Sequence, residues 1–151
     1  MNVKSALEES LKDALRAGDE LRKRTLRQAL AAIKQAEIDR RTTLDEAAAL
    51  AILQKEIKMR RESIEEAQKA GRTDLLPDLE AEIAILSAFL PQAMSSEELR
   101  PLVQAAIEET GATSVADMGK VMKAVMPRVA GRSPGDQVSR TVREMLQSLP
   151  A

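Results

Sequence analysis

Apolar residues recur along this chain at steps of three, four and seven, the period of helices that bury one side. Val3, Leu7, Leu11 and Leu15, with Ala14 beside them, predict a first helix that Gly18 ends as a left-handed C-cap. Asp19 caps a second, in which Leu21, Leu26, Leu30, Ile33 and Ile38 share one broad side. Arg22, Lys23, Arg24 and Arg27 crowd its first two turns, where cations oppose the helix dipole. Thr43 and Glu46 read as a capping box opening a long third helix, with Leu50, Leu53, Ile57, Ile64 and Ala67 inward and Gly71 at its end. Its outer face, Gln54 to Glu62, is dense in both charges, includes Glu56 and Arg60 at i, i+4, and reads as solvated. A fourth helix starts near Thr73 or Asp74, tolerates Pro77 in its first turn, and lines up Leu76, Leu79, Ile83, Leu86 and Leu90 before Pro91 stops it.

The segment Leu90 to Ser95 reads as a linker, because Pro91 ends one helix and Ser95 with Glu98 signals the next. Beyond it the pattern gives three shorter helices. Leu99, Leu102, Val103 and Ile107 form the first inner face, ending at Gly111, with Pro101 deep enough to cost a backbone bond or force a kink. Ser114 with Asp117 opens the next, where Val115, Met118, Val121, Met122 and Val125 face inward, Gly119 allows close approach of a neighbouring backbone, and Pro127 ends or bends the helix. Ser133 followed by Pro134 predicts the last start, with a capping hydroxyl and a proline at the first helical position. Val138, Val142, Met145 and Leu146 supply its buried side. The expectation is an all-α chain: an N-terminal four-helix bundle over residues 1–94, then a C-terminal three-helix bundle over residues 95–151.

Composition supports that class and narrows the chemistry. Aromatics are 1% of the chain, with Phe89 alone, so the core must come from Leu, Ile, Val, Ala and Met. Cys and His are both absent, which removes the Ser-His-Asp triad, the Cys-His pair, disulfides and the usual zinc ligands. No catalytic group, cofactor or metal is expected, and the chain reads as a binding module. Met1-Asn2-Val3-Lys4 meets Glu8 and Glu9 before any apolar run, and the uncharged run Ile83 to Ser96 is shorter than the ~20 residues of a membrane span and broken by Pro91. No membrane is expected, and the location expected on these grounds is cytoplasmic.

Charge is unevenly spread although the net formal charge is −1. Residues 112–151 hold Lys120, Lys123, Arg128, Arg132, Arg140 and Arg143 against Asp117, Asp136 and Glu144, an excess of +3 that leaves −4 for the rest. Such asymmetry suggests an anionic partner for the C-terminal bundle. Lys120 and Lys123 lie three apart on the polar side of one helix, as do Arg140 and Arg143 on another, and Gly131-Arg132-Ser133 precedes a helix start whose N–H groups favour anions. Asp136, in that same first turn, competes for those donors. Without aromatics for stacking, a folded RNA recognised by shape and backbone fits better than an unstructured strand. Met118, Met122 and Met126 form a stripe that reads as core rather than as an open groove.

The run Asp117-Met118-Gly119-Lys120-Val121-Met122-Lys123-Ala124, with Gly131-Arg132-Ser133-Pro134 and Val138, resembles the tail motif shared by GatB and the stand-alone YqeY-like proteins. GatB is the tRNA-handling subunit of the glutamine-dependent amidotransferase. Similarity to the YqeY-like family extends through Leu26-Arg27, Ala32-Ile33-Lys34, Gln54-Lys55-Glu56, Arg60 to Glu66, Ala70-Gly71-Arg72 and Phe89-Leu90-Pro91, essentially the whole chain. The resemblance implies the same pair of bundles and a tail that holds tRNA. Lys120, Lys123 and Arg132 fall within the matched motif, with Gly119, Gly131, Ser133 and Pro134 as its structural residues. Arg128, Arg140 and Arg143 join by charge and proximity.

Three functions compete at this stage. The first is a non-catalytic tRNA-binding module using the basic face of residues 112–151. The second is an adaptor that docks an aminoacyl-tRNA synthetase or amidotransferase subunit through the charged face from Lys55 to Glu66 or a Met-Leu groove. The third takes the family's associated label, a carbon-nitrogen ligase with glutamine as amide donor, and would need carboxylates such as Glu62, Glu65 or Glu66 as acid and base.

Overall fold

The computed structural model describes residues 2–150, and among them every regular element is helical. The helices are α1 (Val3–Ala17), α2 (Glu20–Arg40), α3 (Glu46–Lys69), α4 (Leu76–Ser87), α5 (Ser96–Thr110), α6 (Met118–Val129) and α7 (Gly135–Gln147), with single 3-10 turns at Thr73–Leu75 and Val115–Asp117. The chain is all-α, and it divides into two compact units, Met1–Leu90 and Pro91–Ala151.

In the first unit α2 touches α1, α3 and α4, and the four helices close over Val3, Leu7, Leu26, Ile33, Leu53, Ile57 and Leu86. Gly18 ends α1 in the left-handed conformation, with φ of 68°, which a residue without Cβ adopts at no steric cost. Asp19 then caps α2, its carboxylate accepting from the Arg22 N–H at 3.1 Å. The third helix starts differently from its T-x-x-E pattern. Asp45, immediately before the helix, accepts from the Ala48 N–H at 2.8 Å and does the capping. Glu46 is thereby released, and its two carboxylate oxygens accept from the Val3 N–H at 3.0 and 3.1 Å, closing the start of α1 from 43 residues away.

Two further expectations in this unit are corrected. Ile38 is 59% exposed. A step of five from Ile33 turns it about 140° away from the buried line of a helix with 3.6 residues per turn. The outer charged face of α3 is not wholly solvated either, because Arg60 is buried, its side chain only 9% exposed. Its Nε donates to Glu82 at 3.2 Å, one terminal nitrogen to the Glu56 carbonyl at 3.0 Å, and the other to Gln28 Oε1 at 2.7 Å. Arg24 donates to the second Glu82 oxygen at 3.4 Å. Charges from α2, α3 and α4 therefore meet, Arg60 and Glu82 buried and Arg24 reaching in from the surface, with each oxygen of Glu82 taken by an arginine.

The second unit closes α5, α6 and α7 over Leu99, Val103, Ile107, Val121, Val125, Val129, Val138, Val142 and Leu146. Ser95 and Glu98 form the capping box their spacing predicts, with bonds of 3.2 and 2.9 Å in the two directions. Residues 91–94, read from sequence as linker, belong with this unit. The Met94 side chain is buried in its core, and the Met94 N–H donates to the Arg132 carbonyl at 2.9 Å.

Pro101 and Pro127 both lie inside continuous helices, so Pro127 does not end α6. The carbonyls they leave without an α-helical donor belong to Glu97 and Lys123, both exposed residues. Ser114 makes no side-chain cap, and Val115 is exposed rather than inward. At α7 the proline sits one position earlier than expected: Pro134 is the N-cap residue and Gly135 the first of the helix. Ser133 is thereby displaced to where its hydroxyl caps nothing, and the buried Oγ has no hydrogen-bond partner among the described residues.

Candidate nucleic-acid interface

The cations singled out from sequence lie on α6, on α7 and on the connection between them. Val121, Val125 and Val129 bury one side of α6, and a spacing of 3.6 residues per turn puts Lys120 and Lys123 on the opposite side, both exposed. On α7 the buried line is Val138, Val142 and Leu146; Arg140 stands opposite it and Arg143 flanks it, both exposed. Gly119, in the first turn of α6, has no neighbour within 4 Å of where a Cβ would stand, so the close backbone approach expected there does not occur.

Three of the six cations have carboxylate partners inside the unit. Arg128 pairs with Glu109 of α5. Arg132 donates from Nε to the Gln92 carbonyl at 2.9 Å and lies 3.3 Å from Glu98, so it ties the segment before α5 to the connection before α7. Glu98 accepts from the Ser95 N–H and faces Arg132, and both hold its carboxyl below the usual carboxylate range. Lys120 reaches Asp117 at 3.7 Å, an exposed contact that contributes little. Asp117 is held below its ordinary value first by the Thr113 N–H and then, after the opposing effect of desolvation, by Lys120. Lys123, Arg140 and Arg143 have no ion pair among the described residues.

This redraws the charge map. Over residues 91–151, Arg100 and the six cations face Glu97, Glu98, Glu108, Glu109, Asp117, Asp136 and Glu144, so the unit as a whole is neutral. The excess of +3 read over residues 112–151 omitted α5, which folds into the same bundle and supplies the partners of Arg128 and Arg132. Those pairings join residues 19 and 34 apart in sequence and follow no helical spacing, so no local pattern announces them. What stays positive is a surface rather than a segment: the outer sides of α6 and α7.

The start of α7 offers no anion site of the kind its sequence suggested, since Asp136 Oδ1 accepts from the Gln137 N–H at 3.0 Å and Arg132 is turned toward Gln92 and Glu98. A shallow groove of about 360 Å³ runs beside α7, lined by Ser96, Pro134, Asp136, Gln137, Arg140, Thr141 and Glu144. Its one cation shares it with two carboxylates, a lining that does not favour a compact anion. No group of carboxylates among the described residues has the arrangement of a metal site.

The described residues form two helical units, the second carrying exposed cations on α6 and α7. The profile of the Yqey-like proteins matches residues 4–146, and the chain belongs to that family. Among curated proteins it is similar to the "Altered inheritance of mitochondria protein 41, mitochondrial" of three fungi. It is 42% identical to that of Lachancea thermotolerans over 61% of this chain and 50% of the relative, and 40% identical to that of Eremothecium gossypii over 71% and 60%. It is 30% identical to that of Pyrenophora tritici-repentis over 93% of this chain and 78% of the relative. The chain thus spans half to three fifths of the first two relatives. These relatives are named as mitochondrial, which overturns the cytoplasmic location expected from the N-terminal residues. No helix of the described residues is long and apolar enough to cross a membrane.

Proposed function

We propose that this chain binds folded RNA, tRNA in the first instance, through the outer sides of α6 and α7. Lys123, Arg140 and Arg143 contact phosphates, with Lys120 as a weaker fourth. The observation that carries the reading is that Lys123, Arg140 and Arg143 are exposed and make no ion pair among the described residues, while Arg128 and Arg132 are engaged in holding the bundle together. The sequence likeness to the GatB tail supplies the tRNA. A chain whose one aromatic is Phe89 has no stacking platform, so contact falls on backbone and shape.

The test is tRNA binding measured across a salt series. Each phosphate neutralised steepens the slope of log affinity against log salt by roughly 0.7 to 0.9. Replacing Lys123→Glu and Arg143→Glu together flattens it by roughly twice that amount, whereas Arg128→Gln leaves it unchanged. A wild-type slope in the K123E/R143E protein overturns the assignment. Val115 and Met126, exposed beside these cations in sequence, favour a protein-docking adaptor as the second reading. Capture of a synthetase or amidotransferase subunit that survives nuclease and is lost on Met126→Asp supports that alternative.

A further inference from the structure

The unit counted as acidic from sequence carries a second cationic surface, on α2. Six of its residues are basic (Arg22, Lys23, Arg24, Arg27, Lys34 and Arg40) against Glu20, Glu37 and Asp39, and Arg41 follows as the C-cap. The structure sorts these by occupation. Arg22 donates to Ser10 at 3.1 Å, Lys23 pairs with Glu20 at 2.9 Å, and Arg24 reaches Glu82. The carboxylates of α2 are likewise occupied: Glu37 pairs with Lys4 at 2.7 Å and accepts from the Leu44 N–H, and Asp39 accepts from Gln35 at 2.8 Å. Arg27, Lys34 and Arg41 are exposed and make no ion pair among the described residues. Of the acidic residues of neighbouring α1, Asp13 pairs with Arg16, and Glu8 and Glu9 pair with none of the three.

Their positions form a line. Arg27 and Lys34 lie seven residues apart, two turns of helix, so they share one side of α2 at an interval of roughly 10 Å, and Arg41 follows seven residues on as the left-handed C-cap at the end of the helix. Leu26 and Ile33, each one residue before a cation and so about 100° round the helix from it, are buried together with Ala29. Exposed Ala31 lies between the first two cations, where a short side chain leaves the helix surface open to a bulky ligand.

We propose that this line is a second polyanion-binding surface, distinct from the α6 and α7 face, and that its ligand is the phosphate backbone of structured RNA. A repeat of cations over about 20 Å matches an extended row of phosphates better than a single compact anion. The surface lacks what a lipid bilayer requires, since Ile38 is the one large apolar side chain exposed on α2 and an interfacial helix needs an apolar side to insert. The assignment does not depend on the α6 and α7 face.

The experiment uses the full chain and unfractionated tRNA as probe, with affinity followed over a salt series for wild type, R27E/K34E, K123E/R143E and the quadruple variant. R27E/K34E is expected to flatten the salt slope by roughly 1.4 to 1.8 while helicity by circular dichroism is retained, and the quadruple variant to flatten it by about twice as much. A wild-type slope in R27E/K34E overturns this proposal, whereas a wild-type slope in K123E/R143E overturns only the reading of α6 and α7. If reversal disturbs folding, R27Q/K34Q, which removes the same two charges, carries the same expectation. Vesicles of phosphatidylglycerol and phosphatidylcholine in equal parts are the control. Vesicle binding that R27E/K34E abolishes, with tRNA binding intact, overturns the RNA assignment in favour of a membrane surface.

Discussion

Arg60 offers the sharpest test of how the first unit is held together. Replacing it by Met keeps the unbranched stem and removes the guanidinium. Glu82, 11% exposed, then keeps only the Arg24 contact at 3.4 Å, and Arg24 is itself 54% exposed. Breaking a buried ion pair from one side costs about 3 to 5 kcal/mol. The residual Arg24 contact puts the expectation at the lower end, about 3 kcal/mol. For a unit of this size each kcal/mol moves the midpoint by about 4 to 8 °C, so R60M should lower it by about 12 to 24 °C. The chain has no Trp or Tyr, so the assay is differential scanning calorimetry with far-ultraviolet circular dichroism. Hydrogen exchange on α2, α3 and α4 attributes the loss to this unit. The double variant R60M/E82L removes the stranded charge as well, and should recover more than half of the loss, because a buried ion pair replaced by apolar groups is often near neutral. A cost below about 1 kcal/mol for R60M, or a double variant less stable than R60M alone, refutes the reasoning and returns Arg60 to a solvated face.

Two further outcomes separate neighbouring readings of the same residues. Glu46→Ala should lower stability by about 1 kcal/mol by leaving the Val3 N–H at the start of α1 without its acceptor, whereas Thr43→Ala should stay within about 0.5 kcal/mol, both read by thermal unfolding. Equal effects would show that the carboxylate does not close α1. Gly119→Ala, with open space around it and no positive φ, should be neutral or stabilise by up to about 1 kcal/mol. Gly111→Ala, at φ of 68°, should destabilise by about 1 kcal/mol or more, and the same melting curves distinguish the two.

Much of the fold is legible locally because a helix is a local object. The steps of three and four found the buried lines of α5 and α7 and the start of that of α1, where Val3 and Leu7 are buried but Leu15 is 47% exposed, and Gly18 and Gly111 marked true ends because only a left-handed residue closes those helices economically. The caps that failed lost their place close to the helix start. Thr43, Ser114 and Ser133 each have a hydroxyl at cap-like spacing, but the residue nearer the helix took the position or the proline shifted the start. The candidate RNA surface was half legible: the six cations were visible, yet which of them remain unpaired depends on α5, whose carboxylates reach them only after the chain has turned back.

Residue type and period alone determined that this chain is helical, that its cores are aliphatic, and that no His or Cys chemistry is available to it. Those properties depend on each residue's own side chain and on neighbours within two turns. Only the tertiary structure decided the charge map, because an ion pair is a distance between atoms and the partners here lie 19, 22 and 34 residues apart. It buried Arg60 beneath a face that reads as solvated, neutralised a unit that reads as basic, and left unpaired cations on α2 in the half that reads as acidic.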